Sequence, residues 1–324
     1  MTVPARSGSF FVLGPKPSSM DERAALALLE DELEPVGDDA AVVDDLVITT
    51  DMLHERTDFP AGTTRYTAGW RSVGASLSDV AAMGAEATAA VAAYAAPEFD
   101  REELLEFVRG ATDVCERVGA EYVGGDLDDH QEFTVTTTAI GRTDDPVPRS
   151  GAEPGDLVCV TGTLGRSAAA LELFERGARD GDAVEGDADA LERANDCFCF
   201  EPRVAAGRAL APHATALMDS SDGLARSLHQ LAAASDCGFA IESAPIPVSE
   251  TLQDLVDDET EVLERATTFG EDFELVATVP DDALEAVRSA IDVELSVLGT
   301  VTDPAAGVTL DGDELEDCGY THGE

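Results

Sequence analysis

Alternating helix-like and strand-like periodicities in both halves of the chain, a proline-bearing stretch at 142–155 between them, and a length of 324 residues predict an α/β (α+β) fold in two domains. The division expected is a loose extension over 1–19, an N-terminal domain over 20–143 and a C-terminal domain over 149–324. Pro4, Pro15 and Pro17 mark the extension, and Ala24, Leu28 and Leu29 mark an amphipathic helix after it. Strands are expected at 40–43 and 46–50. From Trp70 onward, Val73, Leu77, Val80 and Ala81 recur at helical spacing. At about 100° per residue Asp79 falls opposite that stripe, beside Ser72, Ala75 and Ala82, on a face that another body can approach closely.

Asp100 and Glu103 read as a capping box for a helix carrying Leu104, Val108, Ala111, Cys115 and Val118, which Gly119 ends. Tyr122 and Val123 lead into Gly124-Gly125-Asp126, and 133–140 is a Thr- and Val-rich strand. In the second half a strand over 157–161 turns at Gly162-Thr163-Leu164-Gly165 into a helix bearing Ala168, Leu171 and Phe174. The acidic stretch 180–189 is a solvated insertion. It fails as a calcium loop because Val184 and Leu191 fall at ligand positions. Leu224, Leu228 and Leu231 mark a helix ending at Gly238, followed by a strand at 273–279, a helix at 284–291 and a strand at 295–301.

Charge narrows the function. Asp and Glu total 67 against 20 Lys plus Arg, a formal net charge of -47, while the 44% hydrophobic content requires a folded core beneath that coat. Such a surface repels itself unless salt screens it, which implies a protein built for a salty cytoplasm. No basic patch exists to displace counterions from nucleic acid. No apolar run approaches roughly 18 residues, so no membrane span is expected, and the residues from Phe10 to Leu13 are too short for a signal-peptide core. The six scattered cysteines read as free thiols; Cys197-Phe198-Cys199 lacks the second pair that a zinc site needs. Lys16 is the single lysine, which excludes a Walker-type P-loop and the protein-kinase signatures.

If the chain handles nucleotide phosphates, metal ions must supply most of the positive charge, and carboxylates must hold the ions. Five aspartate-bearing segments adjoin apolar or small-residue runs: GDDAA at 37–41, TTD at 49–51, SLSD at 76–79, GGD at 124–126 and DSSDG at 219–223. Adjacent strands would gather Asp39, Thr49, Thr50 and Asp51 into one patch of hard oxygen ligands, although two polar turns read equally well. Asp79 and Asp126 add to the patch, the latter after glycines that permit close approach of a phosphate. Asp219 and Asp222 precede a helix that Ser221 or Asp222 could simply cap. The Gly162–Gly165 turn offers an anion-binding helix start or an ordinary βα turn. Arg149 is either an exposed linker arginine or a phosphate contact, and Glu271-Asp272 alone reads as a turn.

Taken in order, GDDAAVV at 37–43, TTDMLHE at 49–55, SLSDVAAMGA at 76–85, VGGDL at 123–127, RSGAEPGDLVCVTGTLGRSAAAL at 149–171, DSSDGLARSL at 219–228, SDCG at 235–238 and FGEDFEL at 269–275 resemble the thiamine-monophosphate kinases, within the aminoimidazole-ribotide synthetase-like superfamily. The resemblance spans about 20–322. It implies an N-terminal domain whose strands pair with a second subunit into a barrel, a C-terminal α/β domain closing over ATP, and phosphorylation of thiamine monophosphate to thiamine diphosphate by a homodimer. It implies Asp39, Thr49, Thr50, Asp51, Asp79, Asp126, Asp219 and Asp222 as Mg²⁺ ligands. Gly125, Asp126, Arg149 and Ser221 would contact ATP, and Glu271 the thiamine moiety. The chain departs from the family pattern at Asp58, where a histidine is common, and at Leu127-Asp128-Asp129 after Gly125-Asp126. It departs again at Asp317, which leaves Tyr320 as the nearest aromatic for the substrate. Two other readings remain: another ATP-dependent member of the superfamily, or a non-catalytic cation-binding protein. Selenophosphate synthesis is disfavoured, since Lys16 has no neighbouring cysteine.

Overall fold

The computed structural model describes residues 37–179 and 188–319. The extension over 1–19, the helix around Leu28, positions 180–187 of the acidic stretch and Tyr320 lie outside the described residues. The fold is mixed α/β, built on two sheets, one from each half of the chain.

The first half runs β1 (Ala41–Val43), β2 (Leu46–His54), α1 (Glu55–Asp58), α2 (Arg65–Ala82), β3 (Glu86–Ala96), α3 (Arg101–Arg117), β4 (Glu121–Asp129) and β5 (Thr134–Arg142). Its sheet has the order β1-β2-β5-β3-β4. β3 and β4 are parallel because α3 carries the chain back between them, while the other pairs are antiparallel. Thr64 starts α2 by accepting the Thr67 N–H, and Asp100 starts α3 by accepting those of Glu102 and Glu103. Glu103 does not return the expected capping-box bond, because its carboxylate pairs with Arg65 instead. α2 and α3 cross so closely that a Cβ on Gly110 would lie 2.0 Å from the Tyr66 carbonyl oxygen.

The second half runs β6 (Leu157–Thr161), α4 (Arg166–Arg179), α5 (Ala188–Phe198), α6 (Val204–Leu210), β7 (Ala216–Asp219), α7 (Leu224–Ser235), β8 (Gly238–Ile241), α8 (Glu250–Leu255), α9 (Glu259–Thr268), β9 (Leu275–Val279), α10 (Leu284–Ala290), β10 (Leu295–Thr302), β11 (Val308–Leu310) and β12 (Asp313–Glu314). The sheet order is β12-β11-β8-β10-β6-β9-β7, with only β8 and β11 parallel. The small face of α2 is covered, as its composition suggests: Ser72, Ala75 and Ala82 are buried, and α6 and β7 of the second half pack on it. One apolar core therefore runs from Val73, Leu77 and Val80 through to Leu217 and Leu275. No helix of the described residues is long and apolar enough to cross a membrane.

Three local expectations change. The Gly124-Gly125 pair that follows Tyr122 and Val123 does not end the strand but lies inside β4, where the Ala90/Ala92 irregularity in β3 shifts the register. A Cβ on Gly125 would sit 1.7 Å from the Ala92 carbonyl oxygen, so its bareness serves strand pairing. Gly125→Ala is expected to lower the melting temperature by roughly 5 °C, measured by circular dichroism in molar KCl. The helix after DSSDG ends at Ser235, because Asp236 turns left-handed (φ 50°) and Gly238 already starts β8. The strand expected from Phe273 begins at Leu275, since Glu271 and Phe273 both have positive φ.

Candidate functional site

Asp39 lies in the bend ahead of β1, Asp79 in the last turn of α2 and Asp219 at the end of β7. Their carboxylate oxygens all lie within 4.8 Å of one another. Thr49 Oγ1 donates to Asp79 at 2.5 Å, Ser78 Oγ to Asp219 at 2.6 Å, and the Ser221 backbone N–H to Asp219 at 3.1 Å. Asp51, two residues after Thr49 on the same face of β2, takes a 2.5 Å bond from Ser76, whose hydroxyl is 2.7 Å from that of Thr137. Among the described residues one cation answers this crowd. Arg149 grips Asp39 with Nε at 3.0 Å and Nη2 at 2.9 Å, and its backbone N–H binds Asp38 at 2.7 Å.

The electrostatic cost appears in the acidities. Burial, then the charges of Asp51, Asp219 and Asp39, push Asp79 well above the usual carboxylate range. Burial, then Asp39, pushes Asp219 up to about 6. Burial also raises Asp51, against the bond from Ser76. Burial works against the charge on Arg149, but Asp39, with Asp219 and Asp79 beyond it, outweighs that and raises its pKa. A set of carboxylates and hydroxyls this close, with one guanidinium against them, fits a hard divalent cation such as Mg²⁺.

Not every expected ligand converges there. Side chains alternate along a strand, so Thr50 turns away from Thr49 and Asp51; its hydroxyl donates to the Thr137 carbonyl and accepts from Thr138. Asp126 pairs with Ala93, in the row that continues through Thr136 to Met52. It therefore lies on the face away from α2, about 14 Å across the sheet from β2. Gly125 and Asp126 instead line a second cavity of about 440 Å³, with Tyr94, Phe107, Tyr122 and Leu127. Asp222 is half-buried, with Gln230 Nε2 at 3.5 Å from its carboxylate. Neither it nor Ser221 caps α7, whose N-cap is Gly223.

Two of the three residues expected at the substrate do converge. Asp58 and Glu271, 213 positions apart in sequence, line one cavity of about 450 Å³ with Phe198, Phe269, Leu171 and Gly319, the neighbour of Tyr320. Asp58 Oδ2 accepts the His54 N–H at 2.6 Å and the Thr57 hydroxyl at 2.9 Å. Glu271 Oε2 accepts from Arg71 at 2.8 Å. Among the described residues nothing bonds to the other oxygen of either carboxylate. The cavity and the acidic cluster meet through one loop: Ser221, whose N–H binds Asp219, accepts the Glu271 N–H on its carbonyl at 2.6 Å.

Sequence reasoning did not single out Arg71, Arg203 or Glu274, and read Asp272 only as part of a turn. Asp272 takes the N–H groups of Gly165 at 2.5 Å and Ser167 at 2.9 Å, so the helix start proposed for an anion holds the chain's own carboxylate. Burial, offset by those two bonds, pushes Asp272 up to about 7. Glu274 accepts from Thr161 and, on both oxygens, from Arg203. A lone arginine in the otherwise uncharged stretch 66–78 was the available signal for Arg71.

Residues 37–143 match the family described as AIR synthase related protein, N-terminal domain, and residues 153–311 match AIR synthase related protein, C-terminal domain. A thiamine-monophosphate kinase of Halobacterium salinarum is 64% identical over 94% of this chain and 100% of the relative. One from Methanospirillum hungatei is 39% identical over 94% and 99%. A solved structure described as AaThiL complexed with AMPPCP and TMP superposes with a TM-score of 0.84 at 28% identity, covering 97% of this chain and 100% of that one. With both halves matched in order and full-length relatives at this identity, the chain belongs to the thiamine-monophosphate kinase family of the AIR synthase related proteins.

Proposed function

We propose that the protein transfers the γ-phosphate of ATP directly to the phosphate of thiamine monophosphate, giving thiamine diphosphate and ADP. One observation carries this reading: the carboxylate cluster and the cavity lined by Asp58 and Glu271 are joined by the Ser221–Glu271 contact, so one elongated substrate pair can span both. The named relatives are kinases of this type, and the solved relative was captured with an ATP analogue and TMP.

In this reading Asp39, Thr49, Asp51, Asp79 and Asp219 would hold Mg²⁺, while Thr50, Asp126 and Asp222, expected as further ligands, stand apart from that set. Bound there, Mg²⁺ would neutralise charge between the ATP polyphosphate and the acceptor phosphate. An oxygen of the acceptor phosphate attacks the γ-phosphorus, the bond from that phosphorus to the bridging oxygen breaks, and ADP leaves with the electron pair. The acceptor is already ionised, so no general base is required; positioning carries the rate. Arg149 and Ser221 orient the ATP phosphates, and Gly125 and Asp126 serve the nucleotide from the cavity beside β4. Asp58, Glu271 and Tyr320 receive the thiamine moiety, whose thiazolium cation suits two carboxylates among Phe198 and Phe269.

The reading includes the division at 20–143 and 149–324, residence in the cytoplasm and a homodimer. The sheet face turned away from α2 exposes Val43 and Met52, at 54% and 56%, and carries Asp126. A second copy closing over that face would bring Asp126 to the interface, and a monomeric mass by light scattering in molar KCl would refute it. The activity is tested by incubating the protein with ATP, Mg²⁺ and thiamine monophosphate in molar KCl. Thiamine diphosphate should form, and its absence would sink the proposal. Glu271→Gln should raise KM for thiamine monophosphate roughly tenfold, as expected for losing a charge-assisted contact, and leave KM for ATP within twofold.

A further inference from the structure

Arg71 sits in the middle of α2, 1% exposed, yet its ion-pair partner Glu271 is 25% exposed and lines the substrate cavity. Its guanidinium lies 3.5 Å from the Phe198 ring centroid. Nη1 donates to the Phe198 carbonyl at 3.0 Å; Nη2 reaches Glu271 Oε2 at 2.8 Å, and the Glu271 carbonyl and Ser167 Oγ at 3.3 Å each. Ser167 Oγ donates in turn to the Glu271 carbonyl at 2.7 Å. Glu271 itself has φ 58°, a conformation that L side chains rarely adopt and that surrounding contacts must impose.

We propose that Arg71 is a positioning residue that poses Glu271 for the cationic end of the substrate, and so sets specificity for thiamine monophosphate. This rests on the substrate reading of the cavity given above. The Glu271 carboxylate has two oxygens that can accept. Here one is bound and the other, without a partner among the described residues, belongs to a cavity-lining side chain. An arginine side chain is a permanent cation with a rigid fork, so the carboxylate it grips keeps a fixed direction. Arg71 also lies eight residues before Asp79 on the same helix, about 12 Å along its axis. α2 thus fixes the spacing between the phosphate-binding cluster and the group that receives the thiazolium.

The test is steady-state kinetics in molar KCl with wild type, Arg71→Met, Arg71→Lys, Glu271→Gln and the Arg71→Met/Glu271→Gln double variant. Arg71→Met is expected to raise KM for thiamine monophosphate at least tenfold while KM for ATP stays within twofold. The double variant should be no worse than the worse single, because both changes remove one interaction. Multiplicative losses in the double variant, or equal weakening of both substrates, would overturn the positioning role. If Arg71→Met does not fold, Arg71→Lys decides, since it keeps the charge but loses the fork. It should raise KM for thiamine monophosphate at least threefold with ATP unaffected, and no change overturns the proposal. Wild type that forms no thiamine diphosphate removes the substrate reading and this proposal with it; active wild type with unaltered variants removes this proposal alone.

Discussion

Asp219→Asn should lower thiamine diphosphate formation roughly 100- to 1,000-fold, the several kcal/mol expected for losing a ligand that holds catalytic Mg²⁺, and should at the same time make the metal-free protein more stable. The two effects share a cause. Asp219 shares a 4.8 Å cluster with Asp39 and Asp79, with Arg149 bound to Asp39. Its charge is costly in the folded protein and useful only when a divalent cation is bound. Burial and Asp39 raise its pKa from 3.8 to about 6. Below about 3.8 the group is protonated folded and unfolded and contributes nothing to the pH dependence. Between 3.8 and about 6 the unfolded chain releases a proton that the folded chain retains, so stability falls as pH rises. Above that the cost is constant at about 3 kcal/mol. Melting curves at pH 5 and 7.5 with EDTA should therefore show a wild-type decline that Asp219→Asn reduces. Adding Mg²⁺ should raise the wild-type melting temperature more than that of the variant. An active variant, or one destabilised without metal, would remove Asp219 from the site.

Much of this arrangement was legible because each aspartate of the cluster adjoins an apolar run, which ties it to the end of a strand or helix. The small residues beside Asp79 foretold a tight neighbour, and α6 with β7 fills that role. What escaped did so for physical reasons. β3 is alanine-rich, and alanine favours helices and is depleted in strands; here the sheet and the helices packed on it override the local preference. β7 has four residues, too few for a periodicity to register. Reading Thr49, Thr50 and Asp51 as one patch ignored the two-residue alternation of a strand, which sends the Thr50 hydroxyl to Thr137. Arg71 was missed because a single arginine in an acidic chain reads as surface; its burial depends on Glu271, Ser167 and Phe198, all remote in sequence.

Transfer from 2 M to 0.05 M KCl should unfold the protein or lower its melting temperature by more than 20 °C. The net charge of -47 cannot be relieved internally, since Arg71, Arg149, Arg203 and Arg226 are already committed to carboxylates in the interior or at the site. The remaining excess lies on the surface, where two like charges about 10 Å apart repel by roughly 0.4 kcal/mol in water. In molar salt the screening length of about 3 Å confines this to nearest neighbours. At 0.05 M it lengthens to about 14 Å, so each charge feels many of its neighbours. Summed over the surface, the change is on the order of tens of kcal/mol, partly offset by repulsion in the unfolded chain, against a typical stability of about 5–15 kcal/mol. Circular dichroism melts across a KCl series would measure it, and a salt-independent melting temperature would refute it. Millimolar Mg²⁺ separates screening from site binding. It adds little ionic strength, so rescue at low KCl reports binding rather than screening, and the share that runs through the Asp39–Asp79–Asp219 cluster should be lost in Asp219→Asn while the KCl dependence stays in place.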